Sequence, residues 1–182
     1  MDIRDIFFVD LCKRASGDQD IVFLTCDMGA DGLTTFKKHF PDRYYNIGVM
    51  EQTGINVAAG LVLTGFKPIV YGIASFMAYR AFEQIKLNMS DMGLPITIIG
   101  SGPGLNYKSD GPTHHALYDV PIISTLPGIQ ILTPRDELGA VSAVNSIGNC
   151  PLYIRLGKGD YPAKYGDYID EYANCPAVLG GV

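Results

Sequence analysis

The chain has 182 residues, of which 47% are apolar and 18% are charged, and its formal net charge is −5. A chain of this length buries roughly two-thirds of its unfolded surface, so a soluble domain needs no disulfide or metal to fold. Nucleic acid is not an expected partner, because 14 basic residues are outnumbered by 19 acidic ones and phosphate binding depends on clustered Lys and Arg. No apolar stretch reaches the ~20 residues of a spanning helix, so we expect no membrane partner.

The cysteines are too scattered for a CxxC pair, since they lie at Cys12, Cys26, Cys150 and Cys175. Scattered cysteines of this kind are typical of reduced core thiols in a cytoplasmic protein. The first eleven residues, MDIRDIFFVDL, do not join a positive leader to a long apolar stretch, so they do not predict a signal peptide.

Helical spacing alternates along the chain with short apolar runs, which indicates strands buried on both faces of a sheet. The predicted strands are Ile21 to Thr25, Tyr44 to Ile47, Pro68 to Tyr71, Pro95 to Gly100, Ile129 to Leu132 and Leu152 to Leu156. The predicted helices run from Asp2 to about Ala15, in a short stretch before Tyr44, from the second strand to Gly65, from Phe76 to about Met89, and from Thr133 to about Ile147. The fold class is therefore α/β, an open and mainly parallel sheet with helices on both faces.

Helix ends and helix faces are also predicted. Asp2 caps the first helix, and the run Thr133-Pro134-Arg135-Asp136 combines an N-cap, a first-turn proline and an acid three residues later. The helix before Gly65 has an apolar face made of Ile55, Ala58, Ala59, Val62 and Leu63, and its small residues Gly54, Ala58, Ala59 and Gly60 allow a close backbone approach. We assign residues 1–160 to one domain and residues 161–182 to a C-terminal linker or tail.

Ligands of such a sheet bind beyond the carboxyl ends of its strands. The loops after Thr25, Ile47, Tyr71 and Gly100 are therefore the expected place of a site, and the last of them is long and irregular, which is typical of function. Two glycine-rich runs are excluded as phosphate loops. The run GSGPG at 100–104 is followed by Leu105 where a dinucleotide motif has glycine, and GKGD at 157–160 lacks the Ser or Thr of a P-loop.

Two acids follow predicted strands. Glu51 stands at the start of a helix, where the helix dipole favours a carboxylate by ~0.3–1 kcal/mol. In the alternative interpretation, its apolar and glycine neighbours desolvate the carboxylate, which then shares a proton with a ligand nitrogen. Asp27 either caps the segment from Gly29 to Leu33 or faces the ligand crevice.

The remaining candidates lie after the third and fourth strands. Phe76 and Tyr79 are either core aromatics or a platform for a flat heterocycle, and Arg80 either meets an anion or pairs with Glu83. His114 is either a solvated loop residue or a donor to a polar substrate near neutral pH. Its neighbour His115 points elsewhere, so joint metal chelation is not expected and we predict no metal site in this chain.

Several segments in fixed order together resemble the pyrimidine-binding domain of the transketolase family, including its deoxyxylulose-phosphate synthase branch. They are FPDRYYNIGVMEQ at 40–52, AAGL at 58–61, KPIV at 67–70, SF at 75–76, RAFEQI at 80–85, DGPTH at 110–114 and ILTPRD at 131–136. Each segment is short, but their order and spacing over residues 20–160 are specific.

The resemblance implies thiamine diphosphate as cofactor. Glu51 corresponds to the family glutamate that hydrogen-bonds the aminopyrimidine nitrogen and favours the imino tautomer, which removes the thiazolium proton. Phe76 corresponds to the aromatic that packs on the pyrimidine, with Tyr79 as a second wall. His114 matches the histidine that faces substrate hydroxyls, and Asp27 falls where the family has an acid.

The diphosphate domain of the family, which holds magnesium, is not found in this sequence. The resemblance therefore implies a partner chain that carries it, in an α2β2 assembly acting on sugar phosphates by transfer of a two-carbon ketol unit. Two alternatives stay open: a subunit of a thiamine-dependent 2-oxo acid decarboxylase or synthase, and a non-catalytic domain for assembly or regulation.

Overall fold

A computed structural model describes residues 2–157 of the chain. Six strands within this range form one parallel sheet in the order β2-β1-β3-β4-β6-β5. The strands are β1 (Ile21–Thr25), β2 (Tyr44–Asn46), β3 (Lys67–Ile73), β4 (Thr97–Ser101), β5 (Gln130–Leu132) and β6 (Leu152–Leu156). The predicted open parallel sheet is confirmed, and each predicted strand lies within two residues of its observed bounds.

Helices cover both faces of this sheet. They are α1 (Ile3–Gly17), α2 (Asp31–His39), α3 (Glu51–Leu63), α4 (Phe82–Ile85), α5 (Asp119–Ile123) and α6 (Glu137–Ser146). Residues of α1, α2 and α6 pack on one face and residues of α3, α4 and α5 on the other. Because β1 and β4 are buried at every position, their apolar runs lack the alternation of a half-exposed strand.

The face under α1, α2 and α6 has an aromatic core. Phe8 makes edge-on contacts with the rings of Phe7, Phe23 and Tyr71 at centroid distances of 5.3–5.9 Å. Edge-to-face pairs of this kind add to the stabilisation that burial gives. The predicted cap of α1 is confirmed, since the Asp2 side chain accepts from the Arg4 backbone N–H.

The other face is built from small and aliphatic residues. A Cβ at Gly54 would lie 2.8 Å from Ile47 Cδ1 and 3.2 Å from Val70 Cγ1, so this glycine lets α3 lie close to β3. The predicted close packing of small residues holds for Ala58 and Ala59, which are buried. It is wrong for Gly60, where an added Cβ would meet no atom within 4 Å. The predicted apolar face of α3 is also wrong for Leu63, which is 68% exposed.

Three further local predictions need correction. Helix α6 is capped by Asp136, whose carboxylate accepts from Gly139 N, so the cap falls three residues after Thr133. The predicted helix from Phe76 to Met89 consists of α4 with wider π turns on both sides, at Phe76–Arg80 and Lys86–Asp91. Helix α5 was not predicted, because its five residues are too few to show a helical period.

Some predictions fall partly outside the described residues. The proposed tail at 161–182, the end of the GKGD turn and Cys175 all lie there. Among the other cysteines, Cys26 is buried and Cys12 half-buried, while the Cys150 thiol donates to Gln130 Oε1. In residues 2–157, no helix combines the length and apolar character needed to cross a membrane.

Candidate functional site

Glu51 begins α3 at the carboxyl edge of the sheet, and only 1% of its side chain is exposed. Arg80 Nη1 donates a hydrogen bond of 2.8 Å to Glu51 Oε2. Because a buried carboxylate is costly without a partner, this contact and the N-terminus of α3 compensate its charge. The Arg80 side chain is 42% exposed, so the pair joins a buried anion to a cation that faces solvent. The anion that Arg80 meets is thus Glu51 and not Glu83.

The ring of Phe76 lies between Arg80 and His114. The Arg80 guanidinium carbon is 4.3 Å from the Phe76 ring centroid, a cation–π distance. The His114 ring centroid is 4.9 Å away, with the two planes inclined by 58°. Phe76 is half-buried, so it is neither a core residue nor a fully exposed one. The structure therefore gathers four predicted side chains, those of Glu51, Phe76, Arg80 and His114.

Phe76 and Arg80 lie on one helical segment that begins three residues after β3. Phe76 and Arg80 are the first and last residues of the π segment after β3. A π turn inserts an extra residue into a helix and is frequent at functional sites. Residues four apart lie on one side of a helical segment, while Met77 and Ala78 of the same segment are buried in the core.

Asp27 also lies at the carboxyl edge of the sheet, but its side chain contacts Asn46. It has a φ of +55°, a conformation in which Asp and Asn are enriched among non-glycine residues. Its carboxylate accepts from Asn46 Nδ2 at 2.9 Å, and Asn46 Oδ1 accepts from the backbone N–H groups of Asp27 and Gly48. The predicted capping role is wrong, since the N-cap of α2 is Ala30 and no side chain caps it.

His114 lies in the irregular segment 102–118, hereafter the His114 segment. Its Nδ1 is 3.1 Å from Thr113 Oγ1, and the Thr113 carbonyl accepts a hydrogen bond of 2.9 Å from the buried Ser75 hydroxyl. Ser75 directly precedes Phe76, so this bond ties the histidine to the aromatic ring. His115 turns away, with its Nε2 3.4 Å from the Lys108 carbonyl, as the adjacent positions predicted.

Tyr79 lies on the same π segment as Phe76 but makes no ring contact with it. Its hydroxyl accepts a hydrogen bond of 2.9 Å from the Tyr118 backbone N–H. Burial raises the pKa of Tyr79 above its usual value, so the phenol is neutral at physiological pH. Tyr79 therefore contacts Tyr118, the last residue of the His114 segment.

Cys26 lies close to Glu51 on the buried side of the cluster. Burial, with the nearby charge of Glu51, raises the pKa of the Cys26 thiol to about 12. The thiol is therefore protonated near neutral pH and lacks the thiolate character of a nucleophile. Residues 2–157 contain no group of three or more His, Cys, Asp or Glu side chains placed to hold a metal ion.

A polar cleft of about 600 Å³ lies elsewhere at the carboxyl edge, at the start of α1 and α2. Its walls include Arg4, Asp31, Thr34 and Tyr107. None of the six predicted site residues lines this cleft. The cluster around Glu51 is therefore a distinct place on the molecule.

Sequence reasoning missed three residues that contact the predicted site residues or the His114 segment: Asn46, Ser75 and Tyr107. Tyr107 packs against Gly102, where a Cβ would lie 2.1 Å from the ring and where φ is +72°. The Tyr107 hydroxyl also lies 2.9 Å from Ser101 Oγ. Asn46 is the last residue of β2, and this position at the carboxyl edge is the signal that could have identified it.

A parallel α/β sheet with a buried acid and an aromatic ring at its carboxyl edge has the arrangement in which α/β domains of this class bind ligands. The family described as "Transketolase, pyrimidine binding domain" matches residues 1–164. The chain belongs to this family.

Two kinds of curated relative match the chain. It is 34% identical over 161 residues to 1-deoxy-D-xylulose-5-phosphate synthase of Corynebacterium glutamicum (strain R), covering 86% of this chain and 25% of the relative. It is 33% identical over 165 residues to a subunit of the apulose-4-phosphate transketolase of Phocaeicola vulgatus, covering 89% of this chain and 53% of the relative. The chain thus spans about a quarter of the synthase and about half of the transketolase subunit.

Solved structures show the same fold. A split gene transketolase, solved as an inactive beta4 tetramer, superposes with a TM-score of 0.78 at 30% identity, covering 90% of this chain and 54% of that one. Transketolase from Leishmania mexicana superposes with a TM-score of 0.76 at 19% identity, covering 87% of this chain and 26% of that one. The second likeness supports the fold alone.

Proposed function

We propose that this chain is the pyrimidine-binding part of a thiamine-diphosphate-dependent, transketolase-like transferase that acts with a partner chain. The proposed reaction moves a two-carbon ketol unit between sugar phosphates. The observation that carries this proposal is the buried Glu51 carboxylate beside the half-exposed Phe76 ring.

These residues fit the pyrimidine half of the cofactor. A buried carboxylate can hold a proton against a ring nitrogen, because water does not compete for it. A half-exposed phenylalanine offers a face to a flat heterocycle. In this structure the Arg80 guanidinium, itself flat and charged, occupies both positions, since it bonds Glu51 and lies over Phe76. A flat group can thus bond Glu51 and lie over the Phe76 ring at the same time, and a bound pyrimidine would displace Arg80 from over that ring.

When bound, thiamine diphosphate would supply a carbon acid whose anion attacks a ketose. Glu51 would hold the proton at the pyrimidine nitrogen, and Phe76 would fix the plane of the ring. His114 would donate to a substrate hydroxyl from the other side of Phe76. Arg80 would keep the charge of Glu51 balanced or meet an anionic substrate, while Asp27 and Tyr79 would border the ring.

We assign the diphosphate and its magnesium to a second chain that carries the diphosphate domain, in an α2β2 assembly. The overall negative charge of this chain supports the assignment, because a diphosphate needs cations close by. The Phocaeicola relative, which is one subunit of its transketolase, supports a divided enzyme as well. We further propose a cytoplasmic location, since the cysteine usage is that of a reducing compartment.

Reconstitution tests this function. The purified chain is mixed with a diphosphate-domain chain from the same source, thiamine diphosphate and Mg²⁺, and two-carbon transfer from a ketose phosphate to an aldose phosphate is assayed. We expect turnover from the mixture only. Turnover by this chain without a partner would overturn the divided site, and a reconstituted pair that binds cofactor but turns over no substrate would indicate the assembly or regulatory role.

A second candidate keeps the cofactor but changes the reaction. Seven of the relatives, at 34–37% identity, are named 1-deoxy-D-xylulose-5-phosphate synthase. A synthase would accept a 2-oxo acid as donor and release carbon dioxide. The same reconstituted pair, supplied with pyruvate and an aldose phosphate, distinguishes the two reactions by the carbon dioxide formed.

A further inference from the structure

Asp119, the first residue of α5, is a buried acid outside the cluster around Glu51, and none of its side chain is exposed. It follows the His114 segment directly in the chain. Arg155 donates to its two oxygens, from Nε to Oδ2 at 2.7 Å and from Nη2 to Oδ1 at 3.2 Å. The Tyr153 hydroxyl donates to Oδ2 at 3.0 Å. Three hydrogen bonds therefore hold one carboxylate.

The partners of Asp119 belong to the sheet. Tyr153 and Arg155 lie on β6, and Arg155 Nη1 also reaches Thr133 Oγ1, which directly follows β5. Burial and the charge of Asp119 raise the pKa of Tyr153 well above its usual value, so the phenol is a neutral donor. A paired and fully hydrogen-bonded buried carboxylate has a single well-defined position, because moving it exposes an unpaired charge.

The opposite end of the His114 segment is held as well. The Tyr107 hydroxyl meets Ser101 on β4, and Gly104 and Ala116 exchange two backbone hydrogen bonds that close the segment into a loop. The Tyr118 N–H donates to Tyr79, one residue before Asp119. The segment that carries His114 is thus attached to the sheet at both ends.

We propose that Asp119, Arg155 and Tyr153 form a positioning cluster that sets the place of His114 beside Phe76. The cluster acts through the backbone of the His114 segment and touches no ligand itself. Its effect on turnover rests on the proposed function, while its effect on the position of His114 does not.

The three histidines of the chain, His39, His114 and His115, give a direct measurement. Imidazole signals in ¹H–¹⁵N spectra are assigned with His114→Asn and His115→Asn. Arg155→Lys keeps the charge but loses the two-pronged contact. We expect it to shift the His114 signals, because the ring current of Phe76 acts at 4.9 Å, and to leave those of His39, at the far end of α2, unchanged.

Two further variants make the result decisive. Tyr153→Phe removes one hydrogen bond to Asp119 and keeps the packed ring, so we expect a smaller shift of the His114 signals. This variant also tests the proposal if Arg155→Lys does not fold. Asp18→Asn breaks the ion pair with Lys67 at the opposite edge of the sheet and should leave His114 in place.

In the reconstituted pair, we expect Arg155→Lys to lower kcat/KM for the sugar about tenfold or more, as small misplacements do. Half-saturation by thiamine diphosphate should change less than kcat/KM, because Glu51 and its partner Arg80 lie outside the His114 segment. The inference is overturned if Arg155→Lys and Tyr153→Phe lower the melting temperature but leave the His114 signals in place. If the two variants shift the His114 signals but the wild-type reconstituted pair shows no turnover, the positioning cluster is upheld and the proposed function is refuted.

Discussion

At the amino edge of the sheet, an arginine donates to backbone carbonyls, whereas at the carboxyl edge two arginines pair with buried acids. Arg43 donates to the carbonyls of Ala15, Asp18 and Ile21, where α1 ends and β1 begins. At the carboxyl edge, Glu51 and Asp119 are buried acids that arginines hold.

The difference has a physical reason. Carbonyls at a helix C-terminus need donors, and a partly exposed arginine satisfies them while its charge stays hydrated. A buried acid gains nothing comparable for the fold, because the desolvation of the charge offsets the pairing. Buried acids at one edge therefore indicate a site, and cations on carbonyls at the other edge indicate structure.

The largest expected effect is that of Glu51→Gln, which keeps the size of the side chain and removes its charge. We expect turnover of the reconstituted pair to fall by about 10²-fold or more, since the proton at the pyrimidine nitrogen loses its partner. The melting temperature should change little, because Arg80 is nearly half exposed and can turn into water.

The matched control is Glu83→Gln, which neutralises an exposed acid near Arg80 in the chain. It should leave turnover unchanged. Full activity of Glu51→Gln would assign Glu51 to the helix N-terminus alone and remove the contrast between the edges.

The next effect concerns the amino edge. Arg43→Met should lower the free energy of unfolding by roughly 2 kcal/mol, because charged hydrogen bonds to three carbonyls are lost. Urea unfolding measures this change. Arg43→Lys should recover only part of it, since a lysine cannot reach the carbonyls as a planar fork does.

A reconstituted pair that contains the folded Arg43→Met chain should turn over substrate at the rate of the wild-type pair. A loss of turnover at a temperature where the chain is folded would show that the two edges are coupled, contrary to the comparison.

The smallest effect is that of Asp18→Asn, also at the amino edge. Burial alone would raise the pKa of Asp18, but hydrogen bonds from Lys67 and from the Asp20 backbone lower it below its usual value. The stabilisation is therefore present above the unfolded pKa of about 3.9 and is lost as the pH falls through the lower folded pKa. We expect less than about 1 kcal/mol at pH 6, because the pair is partly exposed.

Urea unfolding of wild type and Asp18→Asn at pH 6 and at pH 2 measures this difference, which should vanish at the lower pH. Asp20→Asn is the control for the neighbouring exposed acid. A difference that persists at pH 2 would assign the effect to packing instead of charge.

Strand positions and the choice of one edge for the site followed from the residue pattern. Apolar runs such as Ile21–Thr25 and Leu152–Leu156 are confirmed to the residue, because strands buried on both faces are made mainly of apolar residues. Glu51, Phe76 and His114 were predicted as site residues from their position, since each follows a strand whose carboxyl end lies at that edge.

Only the tertiary structure decided which of these side chains meet. The pairing of Arg80 with Glu51 spans 29 positions of sequence, and the contact of Asp119 with Arg155 spans 36. Local periodicity reports which residues are buried, but a pairing between distant segments depends on how the helices pack on the sheet. The amino-acid sequence therefore determined the sheet and its ligand edge, and the packing of its two layers of helices determined the site.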